Sequence, residues 1–150
     1  MESRETIYSA LFQVLQGLNP TTDAFPGDGT LASPVSRRLR PFTQVALQPA
    51  LFLLETGEDA TYQLREGPRT THLTCSLVLY TRHNDPNEAP GPIVNDLIDH
   101  IEYIVRPGPR EQNLGCLVSW VRFAARTTIY EGDSTQQTMT VMGWNILSTV

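Results

Sequence analysis

The sequence predicts an α+β fold: two helices packed on a mostly antiparallel β-sheet, closed by a long C-terminal β-hairpin. Three observations predict it. Apolar residues recur at three- and four-residue spacing in two separate stretches, the signature of amphipathic helices. Runs rich in β-branched and aromatic residues lie between and after them. The last third reads as two such runs around a Gly-Asp-Ser turn. With 150 residues, 40% of them hydrophobic, the chain is long enough to bury the core of one domain.

The first helix is expected over Ser3–Leu18, where Ile7, Ala10, Leu11, Val14, Leu15 and Leu18 share a stripe, Ser3 caps the start and Gly17 with Asn19-Pro20 supplies the stop. Residues 19–34 are dense in Pro, Gly, Thr, Asp and Ser, with Phe25 and Leu31 as apolar anchors; this reads as a long loop, functional or ordered by a partner. Phe42–Leu47 reads as a short strand and Ala50–Glu55 as one buried on both faces. Gly57-Glu58-Asp59 reads as a turn into a return strand over Ala60–Leu64, and Gly67-Pro68 as a further break. Along Thr71–Arg82, Leu73, Cys75, Leu77 and Leu79 face one way and Thr74, Ser76, Val78 and Tyr80 the other.

A second loop, 83–92, carries three prolines and leads into a helix over Ile93–Val105, with Pro92 in its first turn and Pro107-Gly108-Pro109 ending it. The hairpin pairs Leu117–Glu131 with Gln136–Leu147 around Gly132-Asp133-Ser134. Strict alternation puts Val118, Trp120, Arg122, Ala124, Arg126, Thr128 and Tyr130 on one face and Leu117, Val121, Phe123 and Ile129 on the other. The expected order is helix, loop, about three strands, helix, two strands.

Charge narrows the function. The formal charge is −5, only 18% of residues are charged, and all 11 positive side chains are arginines. An acidic chain lacks the footprint of a duplex-binding protein. No apolar run approaches the ~20 residues that span a bilayer, and Met1–Thr6 is unlike a signal peptide, so no membrane contact and a cytosolic setting are expected. Without lysine there is no Walker motif, and neither GxGxxG nor GxSxG occurs.

The candidate nucleophiles and ligands weigh towards packing. His72 and Cys75 are three apart on a strand and so face opposite ways, and Cys75 falls between Leu73 and Leu77 as a core thiol. Cys116, at a strand start, reads as packing too, and no CxxC or histidine spacing suggests zinc. Asp96, Asp99 and His100 lie close on one helix but read as a solvated or partner-facing surface. His83 lies in a proline-rich loop with no second ligand nearby. No catalytic residue, metal or cofactor is therefore expected. The competing class is a small soluble hydrolase using His72, His83 or Cys116.

Arginine is the positive signal. Arg37, Arg38 and Arg40 form a cluster that suits docking, because guanidinium forks pair bidentately with carboxylates. Arg122 and Arg126 interleave with Trp120 and Tyr130, the composition of interface hot spots. These seven residues are the candidate subunit or partner interface.

In order along the chain, RETIYSALFQVLQGL, SRRLRPFTQV, QPALFLLETGE, LVLYTR, PIVNDLIDHIEYIV, LGCLVSWVRF and a closing hairpin with IYEG resemble the tail terminator and tail completion proteins of long-tailed bacteriophages, the lambda-type family. Gln48-Pro49-Ala50-Leu51-Phe52 and the helix-to-LGC junction carry most of the likeness; Gly115-Cys116 stands where Gly-Gly is more usual. The resemblance implies a single tail-terminator-like domain over residues 1–150. It implies a virion protein, assembled in the host cytoplasm, that forms a six-fold homo-oligomeric ring on the head-proximal end of the tail tube. Its partners would be its own copies, the tail tube protein and a neck or head-completion protein, with genomic DNA only as cargo in the lumen. An alternative is another neck component, a head completion or stopper protein.

Overall fold

The computed structural model describes residues 3–21, 27–62, 69–83, 85, 87–130 and 137–149, with Tyr130 and Thr149 described by backbone alone. Its elements run α1 (Arg4–Leu15), β1 (Ala50–Tyr62), β2 (Arg69–Arg82), α2 (Pro90–Val105), β3 (Trp120–Tyr130) and β4 (Gln137–Thr149). The sheet order is β1-β2-β4-β3, every neighbouring pair antiparallel. This is the expected α+β class, with β3 and β4 as the C-terminal hairpin. Its turn, Gly132-Asp133-Ser134, lies outside the described residues, as do Gly67-Pro68 and Phe25.

Both helices lie on one face of the sheet. α1 starts where Ser3 caps it, its hydroxyl accepting the Thr6 N–H at 3.1 Å. It gives way at Gln16 to a short 3₁₀ turn that carries Leu18 into the core, so the α-helix is shorter than its apolar stripe. α2 begins at Pro90, three residues before the expected Ile93; Pro90 takes the first helical position and Pro92 lies in the first turn as expected, where a missing N–H costs nothing. Ile7, Leu11 and Leu15 from α1 and Val94, Leu97, Ile98 and Ile101 from α2 pack on Leu51, Leu53, Leu73, Leu77, Met142 and Ile146. Each such side chain contributes ~1.5–3 kcal/mol by leaving water.

The opposite face is covered at one end only. Val45 and Phe42 pack there on Ala50, Phe52, Val78 and Tyr80, and the Tyr80 hydroxyl donates to the Arg40 carbonyl at 3.0 Å. The expected strand at Phe42–Leu47 is instead a 3₁₀ turn over Phe42–Gln44. It follows Pro41 and serves as a lid on the sheet, a role its length suits better than pairing.

Two strand expectations change. Gly57-Glu58-Asp59 is no turn: β1 runs straight through it to Tyr62, so two strands, not three, precede α2. A bulge between Glu55 and Gly57 shifts the register there. A Cβ on Gly57 would stand 2.9 Å from the Thr74 hydroxyl, so glycine is what lets the strands stay close past the bulge. A second bulge, between Phe123 and Ala125, reverses the faces of β3.

The long loop is tied to the domain rather than loose in its described parts. Asn19 is buried, and its side-chain oxygen accepts the Val35 N–H at 2.8 Å. Leu31 is buried as expected, with its N–H on the Leu18 carbonyl at 3.0 Å.

Candidate functional site

The seven candidate arginine and aromatic positions fall into separate places. Arg37 is half-buried and bridges Glu5 of α1, at 2.6 Å, to Glu55 of β1. That hydrogen bond, with a second from Ser9, holds Glu5 down at about 2, against a small opposing effect of burial. Arg37 therefore works inside the protomer, fastening the segment before β1 to both layers. Arg38 and Arg40 are exposed beside exposed Leu39, and Arg40 lies 6.0 Å over the Phe52 ring. A related clamp links Arg4 and Arg69 across Glu58, whose pKa is lowered chiefly by Arg4.

On β3 the bulge separates what strict alternation joined. Trp120 and Arg122 pair with Leu147 and Asn145 on the face away from the helices, and the Arg122 guanidinium stacks 4.3 Å over the Trp120 ring while bonding Glu111. Past Ala124 the parity flips. Arg126 pairs with Met142 and Thr128 with Thr140, on the helix-bearing face with Val121 and Phe123. The expectation that Trp120, Arg122, Arg126, Thr128 and Tyr130 share one face is thus corrected, because one extra residue shifts a period-two pattern by a half cycle. Tyr130 remains on β3, with its side chain outside the described residues.

β3 is an outer strand, exposed from Arg122 to Thr127. Alongside it, Asp99, Glu102 and Tyr103 of α2, Arg106 just past its end, and Phe123 and Trp144 of the sheet line an open groove of about 560 Å³. Phe123 meets Trp144 edge-on at 5.6 Å, and the buried Trp144 indole N–H has no partner among the described residues. Tyr103 and Phe123, both exposed, line this groove, and exposed Ile129 lies farther along β3 on the other face. No family model matches the chain, and neither does any curated protein.

The nucleophile and ligand candidates find other roles. Cys75 is buried, and burial, aided by the Glu55 charge, pushes its thiol up to about 12, far from a reactive thiolate. Cys116 is exposed rather than packed, because it lies in a turn ahead of β3, which starts only at Trp120. His72 faces away from Cys75, edge-on to Trp120 at 6.1 Å. His83 is buried near the Thr138 hydroxyl, and among the described residues its Nδ1 has no partner.

His100 is not simply a solvated helix residue: its Nε2 meets Asp28 of the long loop at 2.6 Å. Although burial opposes it, hydrogen bonds from Thr30 and the nearby His100 lower the Asp28 pKa. The Thr30 hydroxyl stands 3.4 Å from both ring nitrogens. It therefore sits beside the ring rather than in line with Nδ1, and the three residues make a clasp between loop and α2 instead of a nucleophile-base relay. Among the described residues no group of three or more His, Cys, Asp and Glu side chains could hold a metal.

Sequence reasoning missed the outer half of β1. Glu55, Glu58 and Asp59 were assigned to a strand end and a turn, yet they form an exposed acidic edge at the opposite side of the sheet from β3. The signal was present: Ala50–Tyr62 has a single glycine and no proline, weak grounds for a reversal. What the described surface can do is bind, through two open sheet edges, an aromatic groove and exposed arginines.

Proposed function

We propose that this chain is a ring-forming structural subunit of a phage tail, a tail terminator that caps the head-proximal end of the tube, stops its growth and joins it to the neck. The observation that carries the reading is the open sheet: both outer strands are exposed over much of their length, and one of them carries arginine and aromatic side chains. Monomeric domains blunt or cover such edges, whereas a ring subunit uses them. The resemblance along the chain supplies the identity of the ring, and arginine without lysine suits surfaces that are desolvated on assembly. The −5 charge suits a lumen through which DNA slides without sticking. Exposed Arg38, Leu39 and Arg40 are the patch we assign to the tube or neck.

Mass photometry of the chain alone and with the tail tube protein tests this reading. The expected result is a discrete ring whose addition arrests tube elongation in electron micrographs. Charge reversal at Arg38 and Arg40 should leave the monomer folded and abolish joining. Tubes that grow past the added protein, or rings that bind the portal side and ignore the tube, overturn the terminator assignment, the second result in favour of a neck stopper.

A further inference from the structure

The two open edges of the sheet fit one another. On β3, Gln112 occupies the edge at Val121 and leaves the strand beyond it uncovered among the described residues. On β1, Ser36 occupies the edge at Leu51–Leu53 and, among the described residues, leaves the strand uncovered from Leu54 onward. The uncovered part of β3 carries Arg122 and Arg126 and no acid; that of β1 carries Glu55, Glu58 and Asp59 and no base. Pairing β3 with β3, or β1 with β1, sets like charges together, and only β1 against β3 sets unlike ones together.

One register sets two of these acids against the two arginines, while Glu58, already paired with Arg4 and Arg69 in its own protomer, falls opposite Phe123. If two copies keep the same orientation, β1 of one runs antiparallel to β3 of the next, with the helices on the same side. Placing Asp59 opposite Arg122 then brings Glu55 opposite Arg126, since each strand has one extra residue in that interval, Thr56 on β1 and Ala124 on β3. Faces agree as well. Asp59, opposite His72, and Arg122 lie away from the helices, whereas Glu55, opposite Cys75, and Arg126 lie on the helix side. The paired stretch, Leu54–Asp59 with Arg122–Thr127, stops short of both Ser36 and Gln112. Glu55 and Arg122 keep side-chain exposures of 48% and 52% within their own ion pairs, so each can take a second partner.

We infer that copies of this chain join head to tail by continuing the sheet, the acidic outer half of β1 of one copy pairing antiparallel with the arginine-bearing edge of β3 of the next. Such a heterologous contact makes a ring when its rotation closes. The inference names the contact within the ring of the proposed function and rests on that reading for closure alone.

Two variants and a cross-link test it, with circular dichroism confirming the fold of each. R126E and E55R should each weaken self-association in sedimentation by roughly tenfold, and the double variant in one chain should recover it. In a C116S background, D59C with R122C should give a ladder of disulfide-linked oligomers under mild oxidation. D59C with T128C, six positions out of register, should not. Wild-type rings with unaffected single variants and no ladder would overturn the strand pairing and leave the ring intact. Dimers from D59C or R122C alone would overturn it in favour of a two-fold contact. A chain that stays monomeric, even with the cysteine pair under oxidation, overturns the pairing, and its effect on tube growth then decides the ring reading separately.

Discussion

Cys116 is the residue whose backbone asks for a different side chain. Leu114, Gly115 and Cys116 have φ of 52°, 71° and 71°, three consecutive left-handed residues. The two residues just before it hold the turn: the Gln112 side chain accepts the Leu114 N–H at 2.9 Å, and the Asn113 side chain accepts the Cys116 N–H at 3.3 Å. A residue with a Cβ is strained there by about 1 kcal/mol, and glycine is not. C116G should therefore raise stability by about that amount in urea denaturation, while C116A should not; equal midpoints for the two would contradict the left-handed turn. Asn19 shows the opposite case. Removing its buried acceptor in N19A strands the Val35 N–H and should cost about 1–3 kcal/mol, measurable in the same titration. The sequence marked Gly115-Cys116 as unusual and Asn19 as part of a helix stop. The Asn19 bond is not legible in the sequence because its partner, Val35, lies 16 residues on; at Cys116 the partner is local, and what the sequence does not show is the run of left-handed residues.

Among elements, what was legible followed periodicity and what was not followed interruptions of it. Both helical stripes and the alternation of β2 placed their residues correctly, since burial on one face leaves a regular trace. Each bulge erased that trace. At Glu55/Gly57 a strand looked like a turn, and at Phe123/Ala125 Arg126 was assigned to the wrong face; both errors concealed parts of the candidate interface. The Arg37 clamp was equally hidden, because its carboxylates come from α1 and β1. It carries a pH prediction. Glu5 is held at about 2 in the fold, below its ordinary value near 4.5, chiefly by Arg37. Its contribution is thus fully present above pH 4.5 and lost as the pH falls from there towards 2. R37Q should flatten the part of the acid-unfolding curve that falls in this window, whereas R38Q, on an exposed arginine outside the clamp, should leave the curve unchanged.

For the whole molecule, an open sheet links folding to assembly. A contact made only by folded chains stabilises the fold by mass action, about 2.7 kcal/mol when the free partner is at a hundred times its dissociation constant. For a 150-residue domain that amounts to roughly 5–10 °C in the thermal midpoint. The wild-type midpoint should accordingly climb with protein concentration, tracked by fluorescence of Trp120 in β3 and Trp144 on the neighbouring β4. The climb should shrink at high salt, because the facing pairs, Asp59 with Arg122 and Glu55 with Arg126, are only partly buried and are screened. In R126E the midpoint should stay at the wild type's dilute value across the same range. Arg126 has no ion pair within its own protomer among the described residues, so the dilute fold loses nothing by the change. A wild-type midpoint independent of concentration would mean that the exposed edges stay open in solution, and a variant that melts lower even when dilute would mean that Arg126 serves the monomer instead.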